Sequence, residues 1–382
     1  MTTIQPPTCN ALIEIKNFFE SEGYRIESKK CLQTPTLKDV PNLYAHIDLK
    51  EESKLCKLAK AIISLVFLPL TWIFRAIQII LGRYILPAQS LSKKNITKDL
   101  PINIDMRVIK FSIDVHGSKV ECAVVAQNAN LESRRWILVS EGNGGSLQNR
   151  LDDIFSSKLN QNMMTPNHES DALVSLAEDL DANILLFNYP GVGLSEGFAT
   201  KKKMCDAYKG ALHFLEDKDR GLGATHILGY GYSIGGGVQS EALIDHEFDP
   251  NINYAFIKDR TFSNLSAVVD DLYFRPLGFM VKLFGWNFDT LKGSKALEKP
   301  EIILQSGVND QISDDGVISK KVSLHHNIPE SKNLNKKFFI KLSRQNAFLD
   351  HCDQIPDIKP IAETVKEIEG WRTQSLFTSI RA

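Results

Sequence analysis

Ser233 sits in "GYGYSIGGG", residues 229–237, and a serine among so many glycines suggests three kinds of chemistry. The stretch could cradle a phosphate, turn beside a dinucleotide, or expose a nucleophile. A phosphate-binding P-loop needs GxxxxGK[ST], because its lysine and hydroxyl contact phosphate and metal. No lysine stands at that spacing here, nor in the other Gly-rich stretches "EGNGGS" (141–146) and "YPGVGLSEG" (189–197). A dinucleotide turn needs GxGxxG, and the third glycine is replaced by Ile234, Leu147 and Glu196 in the three stretches. What fits is Gly231-Tyr232-Ser233-Ile234-Gly235, a GxSxG placed after the apolar "HILGY" and before a helical pattern. In that setting the serine occupies a strained strand-to-helix turn. Small residues two before and two after keep neighbouring elements clear of it.

A serine needs a base to take its proton and an acid to orient that base. In a strand-turn-helix architecture of this kind the chain order is serine, acid, histidine. After "EIILQSG" comes "VNDQISDD", which places Asp310 just past a strand end; Asp314 and Asp315 are rivals further along, expected on the next helix. After "KKFFIKLS" comes "RQNAFLDHCDQ", which places His351 ahead of the last helix. His325 and His326 fall in a polar loop and are expected at the surface, and the remaining histidines, His246 apart, precede the serine. The expected triad is therefore Ser233, Asp310 and His351. Acyl transfer also needs donors for the developing oxyanion. The N–H of Ile234 follows the nucleophile and is one candidate. The second falls in "EGNGGS", where Asn143 is preferred and Gly144 is the alternative.

The elements that position these residues are legible from period and punctuation. "RVIKFSIDV", "HGSK" and "VECAVVAQ" read as alternation, turn, alternation, the signal of a hairpin. Continuous apolar runs follow in "RRWILVSE", "NILLFNYP", "HILGYGYS", "NYAFIKDRTFS", "EIILQSGVND" and "KKFFIKLSR". They alternate with amphipathic stretches, such as one with Leu173, Leu176, Ala177 and Leu180 on one face and a last one with Ile361, Val365 and Ile368. This pattern implies an α/β fold, a mostly parallel twisted sheet with helices on both faces and its chemistry at the carboxyl ends of the strands.

The 382 residues, 43% hydrophobic and 24% charged, suffice for one large domain with an extension. Residues 1–100 read as a helical extension and 101–382 as the catalytic domain, with a cap insertion at about 264–298. A net charge of −1 gives no basis for nucleic-acid binding. Cys9, Cys31, Cys56, Cys122, Cys205 and Cys352 show neither CxxC nor metal-ligand spacing. No disulfide framework, metal or cofactor is expected, and a reducing, intracellular setting is. The first residues lack the basic start and apolar run of a signal peptide.

Residues 61–82 depart from the soluble pattern. "AIISLVFLPLTWIF" (61–74) has no charge, Lys54, Lys57 and Lys60 precede it, and Lys93, Lys94 and Lys98 follow the segment. An apolar body with basic flanks suits a helix lying in an anionic membrane surface. The competing readings are a buried helix packed on the catalytic domain and a true transmembrane span.

Together these residues resemble the α/β-hydrolase superfamily over roughly residues 104–375. "EGNGG" is similar to the family's "HGNxG" oxyanion loop, with Glu141 in place of histidine. "NYPGVGLSEG" is similar to its "DYxGxGxSxG" segment, with Asn188 in place of aspartate, and "GYSIG" is the nucleophile elbow. More narrowly, the apolar N-terminal region, "NYPGVGLSEG", "GYSIGGG" and "DRTFSNL" (259–265) resemble the chlamydial 43 kDa (CHLPS) protein family and related Legionella effectors of the Icm/Dot-substrate type. That resemblance implies a hydrolase fold of open substrate and export into a host cell, and the tail "ETVKEIEGWRTQSLFTSIRA" is compatible with a C-terminal secretion signal. The expected activity is serine hydrolysis of esters or thioesters; the alternative is a catalytically silent interaction protein. In the cap region Tyr273, Phe274, Phe279, Phe284, Trp286 and Phe288 crowd together. They are expected either to build an acyl pocket with Tyr232, Phe279 and Trp286 on a lipid or acyl-ester substrate, or simply to pack on the sheet.

Overall fold

The computed structural model describes residues 68–88, 106–127, 133–162, 172–273, 275–308, 311–328, 336–344 and 347–368. The expectations for residues 1–67, 89–105 and the C-terminal tail beyond 368 lie outside these. The alternating segments form β1 (Met106–Val115) and β2 (Ser118–Gln127), paired antiparallel so that Val115 faces Ser118. His116 and Gly117 turn between them, both at positive φ, the two-residue connection whose twist matches its strands. The continuous apolar runs form β3 (Arg135–Ser140), β4 (Asn183–Phe187), β5 (His226–Tyr232), β6 (Asn253–Asp259), β7 (Glu301–Val308) and β9 (Lys337–Arg344). These six are mutually parallel. Two short strands, β8 (Gln311–Ile312) and β10 (Ala347–Phe348), fold back antiparallel on β7 and β9. The sheet runs β1-β2-β4-β3-β5-β6-β7-β9-β10, with β8 beside β7. This is the α/β-hydrolase fold.

Helices join the strands: α1 (Leu68–Ile85), α2 (Leu147–Asn162), α3 (Ala172–Asp179), α4 (Lys201–Glu216), α5 (Ile234–Leu243), α6 (Leu265–Leu272), α7 (Arg275–Leu283), α8 (Thr290–Ala296), α9 (Leu324–Asn327) and α10 (Lys359–Glu367). Because strand side chains alternate between faces, Trp136 and Leu138 join one core with Phe214 of α4 and Val238 of α5. Ile137 and Val139 join the other, with Leu151 of α2, Leu176 of α3 and Val365 of α10. The faces expected for α3 and α10 are the buried ones. Both faces of the sheet are thus covered, which leaves its edge at the strands' carboxyl ends as the open place for chemistry.

The inner side of α1 packs on the first core through Ile77, Leu81 and Ile85. Its outer side is exposed, with Trp72 70% and Tyr84 80% accessible. No helix among the described residues is long and apolar enough to cross a membrane.

His325 corrects an expectation. It is buried rather than at the surface, its ring edge-on to Phe339 at 4.9 Å, whereas His326 is exposed. Burial pushes the His325 imidazole down to about 4. The folded state therefore resists protonation that the unfolded chain accepts near 6.5. The unfolded state binds the extra proton between those values, so this histidine weakens the fold as pH falls from about 6.5 to about 4. His325→Leu is expected to flatten the fall in melting temperature between pH 7 and pH 5, measured by thermal denaturation. An unchanged pH slope would refute this role.

Candidate active site

β5 hands directly to α5 at Ser233, whose backbone is forced to φ 53° and ψ −120°. A non-glycine residue there is strained, and the surroundings hold it in place. The Ser233 N–H donates to Asp259 O at 3.0 Å, and its carbonyl accepts from Thr261 Oγ1 at 2.7 Å and from Gly236 N at 3.0 Å. The glycines of the motif are sterically required. A Cβ at Gly235 would stand 2.0 Å from Ser140 O, and one at Gly231 would stand 2.8 Å from Gly236 Cα.

The structure brings His351 to this serine and places a different carboxylate behind it. His351 Nε2 lies 2.9 Å from Ser233 Oγ, and His351 Nδ1 lies 2.9 Å from Asp315 Oδ2. The carboxylate against the imidazole is thus that of Asp315 and not Asp310, which lies outside the described residues. The reason is the hairpin. β7 does not simply end; the chain doubles back as β8, pairing Gly307 with Ile312, and only the loop after β8 returns to the histidine. Nor is Asp315 on a helix as expected. It is buried in that loop, its Oδ1 accepting from the N–H groups of Val317 (3.1 Å) and Ile318 (2.7 Å). The third aspartate, Asp314, is exposed and accepts from Lys320 N–H. With a carboxylate as its partner, Nδ1 carries the imidazole proton, which leaves Nε2 free to accept from the serine hydroxyl.

Three residues that hold this arrangement were not anticipated from sequence. At the carboxyl end of β6, Arg260 donates through Nε and a terminal nitrogen to Asp259 (2.8 and 3.0 Å). Its other terminal nitrogen donates to the carbonyls of Asp350 (3.0 Å) and Asp353 (2.7 Å), which flank His351. Arg260 itself sits at φ 41°, with its guanidinium 5.3 Å from the Tyr232 ring. That ring stacks on His351 at 5.3 Å, and its hydroxyl donates to His351 O at 2.5 Å. Burial pushes the Asp259 carboxyl up, but the Arg260 charge and the hydroxyl of Tyr230 (2.6 Å) outweigh it and hold the group below its ordinary value. Asp259, Arg260 and Thr261 therefore tie the serine turn and the histidine loop to one strand end. The signal was present in "DRTFSNL": two opposite charges at the very end of an apolar parallel strand lie where the chain is buried, so they must be paired.

The loop at 141–146 lies against the nucleophile. A Cβ at Gly142 would stand 3.6 Å from Ser233 Cβ, and the turn is closed by Gly145 N–H to Gly142 O at 3.1 Å. The substituted Glu141 does not leave an open charge beside the serine, because Arg150 grips it at 2.7 and 3.0 Å. Asn143 is exposed and its carbonyl accepts from Ala88 N at 3.3 Å, so the chain leaving α1 touches this loop. Ile234 opens α5, and its N–H lacks an intrahelical acceptor. The "NYPGVGLSEG" segment is scaffold. Asn188 Oδ1 accepts from Leu147 N at 2.8 Å, its Nδ2 donates to buried Glu121 at 2.7 Å, and Ser195 Oγ donates to Asn188 O at 3.0 Å.

A cavity of about 450 Å³ opens beside His351. Tyr232, Tyr230 and Leu173 form one part of its wall, and Asn149, Arg150 and Asp153 another. Of the three residues expected to bind substrate, only Tyr232 lines it. Trp286 is fully buried on the far side of its own segment, its indole N–H donating to Gln78 O of α1 at 3.0 Å; Phe279 is 63% exposed on α7. Sequence crowding of aromatics could not tell which side of a helix each would take.

Among the described residues one set of side chains has metal-ligand character: His213, Glu216 and His246. It lies at the opposite edge of the sheet, beside Tyr254 at the start of β6. There Glu216 already accepts from His246 (2.8 Å) and Tyr254 (2.6 Å) and pairs with His213 (3.0 Å). Burial raises its carboxyl, but these hydrogen bonds prevail and lower it to about 2. The set closes on itself as a hydrogen-bonded network joining α4 to the chain after α5.

The sequence matches the family described as "Chlamydia CHLPS protein (DUF818)" over residues 34–370. No curated protein matches. Among solved structures, an esterase from Pyrococcus furiosus is 15% identical with a TM-score of 0.45, covering 68% of this chain and 87% of its own. An alpha-beta hydrolase from Vibrio vulnificus is 15% identical with a TM-score of 0.48, covering 71% and 87%. Est1E from Butyrivibrio proteoclasticus, solved with ferulic acid, is 17% identical with a TM-score of 0.44, covering 67% and 96%.

Proposed function

The chain belongs to the Chlamydia CHLPS protein family, and we propose that it is a serine hydrolase that cleaves carboxylic ester or thioester bonds through Ser233, His351 and Asp315. The observation that carries this reading is the unbroken hydrogen-bonded line from Ser233 Oγ through His351 to Asp315, at a strained elbow on the open edge of the sheet. His351 Nε2 takes the hydroxyl proton as Ser233 Oγ attacks the substrate carbonyl. Asp315 holds the imidazolium that forms. The N–H groups of Ile234 and Asn143 are the donors for the tetrahedral oxyanion. Collapse passes the proton from His351 to the departing alcohol or thiol and leaves an acyl-serine. A water, deprotonated by His351, then attacks the acyl carbon, releases the acid and restores the serine hydroxyl. The polar wall of Asn149, Arg150 and Asp153 favours substrates with polar groups near the scissile bond over plain long-chain esters.

A fluorophosphonate probe tests the reading directly, because its phosphorus is trapped only by a serine with an operating base. The folded wild type is expected to label within minutes and Ser233→Ala not at all, read by mass spectrometry of the modified peptide. If the folded wild type stays unlabelled, or Ser233→Ala labels equally, the fold serves as an interaction module and the reading is wrong.

A further inference from the structure

We propose that the outer faces of α1 and α7 form one continuous docking face for a bilayer containing anionic lipid. The apolar stretch at 61–82 suggested a membrane element; the structure adds a second element, remote in sequence, beside it. Phe74 of α1 lies 5.3 Å from the ring of Phe284, directly after α7, and Gln78 Nε2 donates to Phe284 O at 3.0 Å. The indole of Trp286 closes the same seam on Gln78 O. On either side of this seam large side chains point outward: Trp72 (70% exposed), Ile73 (58%) and Tyr84 (80%) from α1, and Phe279 (63%) and Leu283 (52%) from α7 with Tyr273 (70%) at the C-cap of α6. Scattered exposed hydrophobics need no explanation, but two adjoining helices that both turn them outward do.

Charge identifies the occupant. Arg75 and Arg83 on α1 and Arg275 and Lys282 on α7 are exposed, and neither helix contains an aspartate or glutamate. On the neighbouring α6, Asp270 is taken up by α7 itself, accepting from Gly278 N–H at 2.9 Å, and Asp271 is held by Ser319 and Lys321. Aromatic and aliphatic groups interleaved with cations, without acids, match an interface of acyl chains beneath anionic headgroups. A protein partner or a second copy of this chain would instead need a complementary acidic surface or a uniformly apolar one.

Flotation of the full chain with vesicles provides the test. Binding is expected to phosphatidylcholine vesicles carrying about 30 mol% phosphatidylserine, much less to phosphatidylcholine alone, and to weaken with added salt. The pair Tyr273→Ser with Leu283→Ser lies outside the apolar N-terminal stretch and away from the cavity. It is expected to weaken vesicle binding by about tenfold or more while the melting temperature holds, because both groups lose their apolar burial. Should that pair fail to fold, the wild type still decides the matter: Trp72 fluorescence is expected to be quenched by brominated lipid, with Trp72→Phe as the blank. Equal binding by the serine pair, absence of quenching, or a vesicle-free dimer that the same pair dissolves would each overturn the proposal.

Discussion

Asp315→Asn is expected to lower kcat/KM for an activated ester by about 10³- to 10⁴-fold, whereas Asp310→Asn leaves it within about 3-fold. An amide in place of the carboxylate can donate to Nδ1, which favours the imidazole tautomer protonated on Nε2. That nitrogen can then no longer accept from Ser233 Oγ, 2.9 Å away. The amide also brings no charge to balance the imidazolium. The effect belongs mainly in kcat, since Asp315 is buried behind the histidine and outside the cavity wall. Its Oδ1 is fixed by two backbone N–H groups, so Asp315→Asn keeps the loop geometry and a folding loss should not be confused with a chemical one. Steady-state kinetics with a p-nitrophenyl ester, together with a melting curve for each variant, separates the two. A large loss for Asp310→Asn with little for Asp315→Asn would reverse the assignment.

That one aspartate marks where sequence reasoning stopped. The nucleophile was legible because GxSxG has a steric cause: the two glycines face backbone atoms closer than any side chain could tolerate. His351 was legible because chain order left no other histidine near a late strand end. The acid was not, because three aspartates stand within six residues and the choice among them depends on β8, a two-residue strand too short to show a period. The cap failed for a related reason. Aromatic side chains crowd the whole segment around Tyr273, Phe279 and Trp286, so sequence alone could not say that Trp286 turns inward under α1 while Phe279 turns outward. Position in space also explains Gly229, which chemistry did not require. A Cβ there would stand 2.6 Å from Phe256 and 2.8 Å from the Tyr208 hydroxyl, so the glycine clears room for α4 and β6.

The strain at Ser233 leads to the second large effect, in which activity and stability move in opposite directions. Ser233→Ala is expected to abolish ester turnover, by about 10⁴-fold or more, because removal of the attacking oxygen leaves only binding and oxyanion donors. Its melting temperature should stay near that of the wild type, since alanine bears the same Cβ at φ 53° and the backbone bonds to Asp259 and Thr261 persist. Ser233→Gly is expected to be as inactive and yet more stable. Holding a side chain in this conformation costs about 1–3 kcal/mol, which glycine escapes. Glycine's greater freedom in the unfolded chain returns about 0.5–1 kcal/mol of that. The balance is about 1 kcal/mol in favour of the fold, or roughly 1 °C at this chain length. Serine at this position is therefore retained against the preference of the backbone, which a purely structural role for the turn does not explain. Thermal melts of the three proteins decide it: a glycine variant that melts at or below the wild type would mean that the turn carries no strain and that its conformation is no argument for function.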